Sequence, residues 1–272
     1  MLQEILSKSS FFLLVAVRSL ALLFTLPLFS MRTLPRASRF ALAFYIAYLM
    51  LPAADYSAYS SFVSLDGTFS LYYILLLVGE GMIGVIMGFY VSIIFAAFST
   101  AGQFFAFQMG FSAASAYDAL SQVENPLIGQ FLNLVSMLIF MQSEWFQKLF
   151  IRGLMGSISS LNCFELIAAR EKIVTFLLKG LTNLFADAML IALPIMGTLL
   201  LVTVCTGLLS KAAPQMNLLS EGFPIMILLS FGIFAIFFRD LCDFFIRSFN
   251  TGINDLNSII QAIGNAGNGG IK

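Results

Sequence analysis

Histidine is missing from all 272 residues. Its absence removes the usual general base, the commonest metal ligand and the side chain that titrates near neutral pH, which excludes Ser-His and Cys-His hydrolases. Charge is scarce as well: 10% of residues are Asp, Glu, Lys or Arg, 14 acidic against 14 basic, while 60% are hydrophobic. Soluble domains carry roughly 25% charge and about 45–50% apolar residues, and this chain departs from both in the direction lipid favours. Balanced, scattered charge also supplies no basic field for a phosphate backbone, so nucleic-acid binding is excluded. Cys163, Cys205 and Cys242 are far apart, without C-x-x-C spacing, and read as buried inert thiols; no metal or cofactor is expected. A G-x-x-x-x-G-K-[ST] phosphate loop is lacking too, so energy for any transport must come from elsewhere. The composition describes an integral membrane protein with no catalytic residues, not an enzyme.

Long apolar runs are what the sequence has. Residues 1–10 hold Glu4 and Lys8, and the stretch after them contains Arg18, so this start does not read as a signal peptide and its helix is expected to be kept. Phe11 to Phe29 gives 19 residues, enough to cross a ~30 Å hydrocarbon core. Phe40 to Leu51 gives only 12. Arg32, Arg36 and Arg39 lie between these two runs, whereas the loop that follows carries Asp55 and Asp66 and no Lys or Arg. The positive-inside rule then places the arginine turn on the cytoplasmic side and the N-terminus outside.

In Leu71 to Phe98, Gly84, Gly88, Ser92 and Ala96 recur at every fourth position. A helix stacks them on one face, and small residues there admit a second helix at close range. From Ser99 to Gln122 Ala, Ser, Gly and Gln alternate with aromatics, too polar for lipid and too apolar for water; a loop facing a lumen or a partner is expected. Leu127 to Met141 is apolar again, Ser143 to Lys172 reads as an interfacial helix and a polar turn, and Ile173 to Leu209 is overlong at 37 residues with a break expected at Pro194. A last apolar run, Phe223 to Phe238, precedes a charged stretch and a Gly- and Asn-rich end. The fold class is an all-α integral membrane protein, helical hairpins plus one overlong, Pro-broken helix, packed into a multi-subunit assembly. Its expected organisation is N-terminal hairpins over 1–98, a plug-like loop over 99–126, C-terminal hairpins over 127–250 and a flexible tail over 251–272. Runs of 12, 15 and 16 residues are too short to cross lipid alone, which favours helices held by other subunits.

Arg18, Glu80, Lys179 and Asp187 sit within apolar stretches, where a charge costs several kcal/mol unless it is paired or reaches water. Structural pairing inside a bundle is expected for all four, in preference to a proton or ion relay. Lys179 and Asp187 are about 12 Å apart along one helix and cannot bond each other.

An ordered set of motifs carries a resemblance. Arg18 with Pro27-Leu28-Phe29, Pro35-Arg36 and Pro52, then Gly79-Glu80, Gly84, Gly88-Phe89, Ala101-Gly102-Gln103 and Gln108-Met109-Gly110, then Ala192-Leu193-Pro194, Gly207-Leu208-Leu209, Ala213-Pro214-Gln215-Met216-Asn217 and Gly222-Phe223-Pro224 together resemble the FliR family of flagellar export-gate proteins, whose injectisome relatives are called SctT. Where the family usually shows Asp-Pro in its central loop, this chain has Asp118-Ala119. The resemblance implies one subunit that joins several FliP- and FliQ-type proteins, with an FlhB homologue as a further partner, in a gate of the bacterial inner membrane at the flagellar basal body. Unfolded flagellar polypeptides pass through its pore. It also implies that the central segment forms a plug, placed here on Phe104, Phe105, Phe107, Met109, Gly110, Phe111 and Ser112. A small-solute secondary transporter is the main rival, and it ranks lower because no second broken helix or internal repeat is visible.

Overall fold

A computed structural model describes residues 2–30, 35–53, 59, 70–109, 127–212 and 223–268. Among these residues every element is helical: α1 (Leu2–Thr25), a one-turn helix Pro27–Ser30, α2 (Arg36–Met50), α3 (Leu71–Gln108), α4 (Leu127–Gln142), α5 (Trp145–Ser160), α6 (Cys163–Ala168), α7 (Arg170–Ala212) and α8 (Phe223–Asn268). Three of them, α3, α7 and α8, are long and apolar enough to cross a membrane, and α4 with α5 forms a further candidate span broken between its halves. At that break Glu144 has φ 57°, a left-handed conformation that costs a residue with a Cβ and ends a helix sharply.

The long helices run further than their apolar runs. α3 continues ten residues beyond Phe98, so the loop expected to begin at Ser99 begins no earlier than Met109. Ala, Gln and Phe are acceptable helix residues and no proline interrupts them. α7 likewise runs on through Pro194. Proline deletes one backbone donor, and here its ring lies on the exposed side; the Thr198 hydroxyl donates to the carbonyls of Pro194 at 3.1 Å and Ile195 at 2.8 Å. The segment expected as a flexible tail is mostly helix as well. Phe249, Ile253, Leu256, Ile260 and Ile263 recur at three- and four-residue steps and are all buried, an amphipathic stripe that intervening Asn, Ser and Gln obscure.

Chain contacts divide the molecule into two compact units that interleave in sequence, in place of the four consecutive blocks expected. One unit takes Met1–Ile93, Glu144–Gly180 and Asn250–Lys272; the second takes Ile94–Ser143 and Leu181–Phe249. In the first, α1 contributes Leu14, Val15, Leu22 and Leu23 to the core, and Tyr90 stacks on Phe176 with ring centres 4.4 Å apart. In the second, Phe95, Phe98, Phe140, Phe245 and Phe249 are fully buried and interlock, with Phe98 3.9 Å from Phe245 and Phe95 4.9 Å from Phe249 between ring centres. Such pairs contribute about 0.5–1.5 kcal/mol each beyond area burial. A Cβ on Gly102 would lie 2.5 Å from the Gly129 Cα, so α3 and α4 touch backbone to backbone in this unit.

Candidate functional site

The first unit holds a buried polar knot. Arg18 and Glu80 are 2% and 3% exposed, and a charge so placed requires both an opposite charge and full hydrogen bonding. Arg18 supplies three donors in its planar fork. Its Nε donates to Glu80 Oε2 at 2.5 Å, one terminal nitrogen to the Ser157 hydroxyl at 3.1 Å, and the other to the Leu161 carbonyl at 2.9 Å. The Ser157 hydroxyl in turn donates to the Leu154 carbonyl at 2.7 Å. The second carboxylate oxygen of Glu80 accepts from the Tyr59 hydroxyl, and that hydroxyl accepts from the Cys163 backbone N–H at 2.8 Å. Five segments are joined through one ion pair.

Burial, and then the Glu80 charge beside it, holds the Tyr59 phenol well above its ordinary range, so it stays a neutral donor. The same two causes push the Cys163 thiol up, away from the reactive thiolate. Cys205, expected to be buried, is exposed on α7, and Cys242 is half-buried.

The other two charges stand elsewhere. Lys179 is exposed on α7 and pairs with no described residue. Asp187, half-buried in the second unit, accepts from the Ser248 hydroxyl at 3.0 Å. Tyr59, Ser157 and the Leu161 carbonyl escape a reading of the sequence. Nothing in a loop of Tyr, Ser and Ala marks one tyrosine as buried, and no pattern marks a backbone carbonyl as an arginine acceptor.

Gly84, Gly88 and Ser92 meet α1. A Cβ on Gly84 would overlap the Arg18 carbonyl, and one on Gly88 would overlap the Thr25 hydroxyl; the Ser92 hydroxyl donates to the Thr25 carbonyl at 2.7 Å. This close approach brings Arg18 within reach of Glu80, one turn before Gly84 on α3. Hence the small-residue face and the ion pair form one arrangement.

At the far end of α3, in the second unit, Phe105 and Met109 are fully buried. Phe105 stands edge-on to Phe234, ring centres 6.2 Å apart. Phe104 is half-buried and Phe107 is 70% exposed. Gly110, Phe111 and Ser112 lie outside the described residues. Helical periodicity therefore divides the expected plug residues between a core face and an open one.

Apolar surface left open is the largest feature of the second unit. Leu193, Leu200, Leu201, Val204 and Leu208 on α7 and Ile225, Leu228, Phe231 and Ile236 on α8 are exposed. Of the most apolar 18-residue stretch of each long helix, 61% is buried in α3, 28% in α7 and 11% in α8. Exposed apolar area of this extent marks contact with lipid or with another protein.

Residues 9–252 match the family described as bacterial export proteins, family 1. The chain is similar to the flagellar biosynthetic protein FliR of Bacillus subtilis (strain 168), 32% identical over 222 residues that cover 81% of this chain and 83% of that one. Its similarity to FliR of Escherichia coli (strain K12) is 27% identity over 256 residues, 91% of both chains. A shorter match, 34% identical over 159 residues and covering 58% of this chain and 59% of that one, is to the surface presentation of antigens protein SpaR of Shigella sonnei.

Proposed function

The chain belongs to the bacterial export proteins, family 1, and from that membership we propose that it is a subunit of the export gate of a flagellar type III secretion apparatus in the bacterial inner membrane. FliP and FliQ homologues complete the gate, an FlhB homologue contacts it, and unfolded flagellar proteins cross through the shared pore. The observation that carries this reading is the bareness of α7 and α8: only 28% and 11% of their most apolar stretches are buried within the chain. A self-contained carrier closes its polar path within its own bundle. A subunit leaves its apolar helix faces for its neighbours.

The matches named for flagellar FliR favour the flagellar branch; the similarity to SpaR is what supports an injectisome gate as a second reading. A strain lacking the gene should neither swim nor secrete hook and filament proteins, with both restored by the gene in trans. Normal secretion in the deleted strain would count against the proposal.

The plug we assign to Phe107 and to residues 110–119. Apolar side chains meeting across a narrow lumen exclude water and hold back ions, while Gly110 and the small residues after Phe111 let the segment yield to a polypeptide. Phe105 and Met109 serve instead as the anchor that fixes the end of α3. Deleting Phe111 to Ala116 is expected to leave the gate assembled and to raise ion leakage in resting cells, read by membrane-potential dye. Unchanged permeability with normal export would make the segment a packing element.

A further inference from the structure

In the first unit a groove runs between α3 and the α6–α7 corner. Its volume is about 640 Å³, within the ~300–1,000 Å³ of sites that take small ligands. Leu75, Val78 and Met82 on one wall and Phe164, Ile167 and Val174 on the other are exposed. The floor is sealed where α3 crosses α6, since a Cβ on Gly79 would stand 2.6 Å from the Cys163 Cβ. The one charged residue of the lining is Arg170.

Arg170 and Ile167 also border a second hollow of about 530 Å³, whose lining includes Glu165, Glu171 and Lys172. Ile167 and Arg170 line both hollows, which places the charged residues of the second directly beside the apolar groove. Arg170, Glu171 and Lys172 are exposed and make no ion pair with any described residue. Glu165 already accepts the Asn162 backbone N–H at 3.0 Å through one oxygen, which fixes its carboxylate at the start of α6 and leaves the other oxygen open.

The geometry points to a bound phospholipid with a zwitterionic headgroup of the phosphatidylethanolamine kind. An acyl chain lies along α3, where Tyr72 to Ile86 extends about 21 Å at 1.5 Å per residue, longer than the ~15 Å half-thickness of a ~30 Å hydrocarbon core. The phosphodiester meets Arg170, whose guanidinium fork suits two phosphate oxygens, with Lys172 beside it. The headgroup ammonium meets Glu171 and Glu165. Two basic and two acidic side chains around the second hollow match a headgroup of zero net charge, and they disfavour an anionic one through the uncompensated carboxylates. This site is independent of the export reading, since a lipid held here serves any membrane role of the chain.

The full chain, extracted in dodecyl maltoside from membranes holding both phosphatidylethanolamine and phosphatidylglycerol, is examined by native mass spectrometry and then titrated with each lipid in micelles. One retained phosphatidylethanolamine per chain is expected, with phosphatidylglycerol binding more weakly. Arg170→Glu should weaken retention about tenfold or more, the loss of a charge-assisted bond. Met82→Trp, which fills the apolar groove from an exposed position, should do the same with helix content by circular dichroism unchanged. No retained lipid, retention unaltered in either variant, or preference for phosphatidylglycerol overturns the assignment. So does a photo-crosslinker at Val78 that captures a protein helix in place of lipid.

Discussion

Glu80 sits 3% exposed with one carboxylate oxygen on Arg18 and the other on Tyr59, and the energetics of this trio are asymmetric. Removing one partner of a buried pair typically costs ~3–5 kcal/mol, because the remaining charge is stranded, whereas replacing both by apolar residues of similar volume is often neutral. Glu80→Leu alone is therefore expected to destabilise the chain by that amount, and Arg18→Met with Glu80→Leu to recover most of it, measured by thermal unfolding in detergent. A variant at Glu80 that assembles fully yet fails to export would instead favour a proton relay. Tyr59→Phe leaves Glu80 and the Cys163 N–H each short of a partner and should cost about 1–3 kcal/mol. The phenol also sets a pH dependence. Its folded value lies above the ordinary 10.0, so its contribution is complete below pH ~10 and is lost as pH climbs through the folded value. Tyr59→Phe should flatten the alkaline limb of the stability profile; an identical limb in the variant would contradict the assignment. Arg18 and Glu80 stand out in sequence because charge is costly in an apolar run. Tyr59 does not, since nothing in its polar sequence neighbourhood distinguishes a buried tyrosine from an exposed one.

At the level of elements, glycines separate interior from exterior faces. Gly88 faces Thr25 without room for a Cβ, so Gly88→Leu must push α1 from α3 and is expected to lower the yield of folded chain, read by size exclusion in detergent; normal yield would contradict the packing. Gly197 and Gly207 on α7 meet nothing within 4 Å, and alanine there should stabilise the isolated chain by about 0.5–1 kcal/mol through helix propensity. The fourfold spacing of small residues on α3 was legible because a helix repeats at that step. The extent of the helices was less so. Apolar run length marks where lipid or core is met, and α8 continues past Phe238 through Arg239, Asp240 and Asp243 because charged residues suit a helix wherever its surface meets water. Pro194 misled for a related reason: one lost hydrogen bond does not end a helix of 43 residues.

For the whole molecule, the described residues form two helical units, and the second carries its apolar side chains outward along α7 and α8. Marginal stability leaves little room for such surface in isolation, so its cover is either lipid or protein, and the family membership favours protein over much of it. The interleaving of the units was not visible in sequence, because helix periodicity reports which face is buried and not which helix buries it. The most direct measurement is native mass spectrometry of the tagged chain, extracted in mild detergent from cells that also express the FliP and FliQ homologues. One copy of this chain bound to several copies of both is expected. A lone chain in its detergent belt, beside a FliP–FliQ complex that lacks it, would show that the chain is not a subunit of that gate.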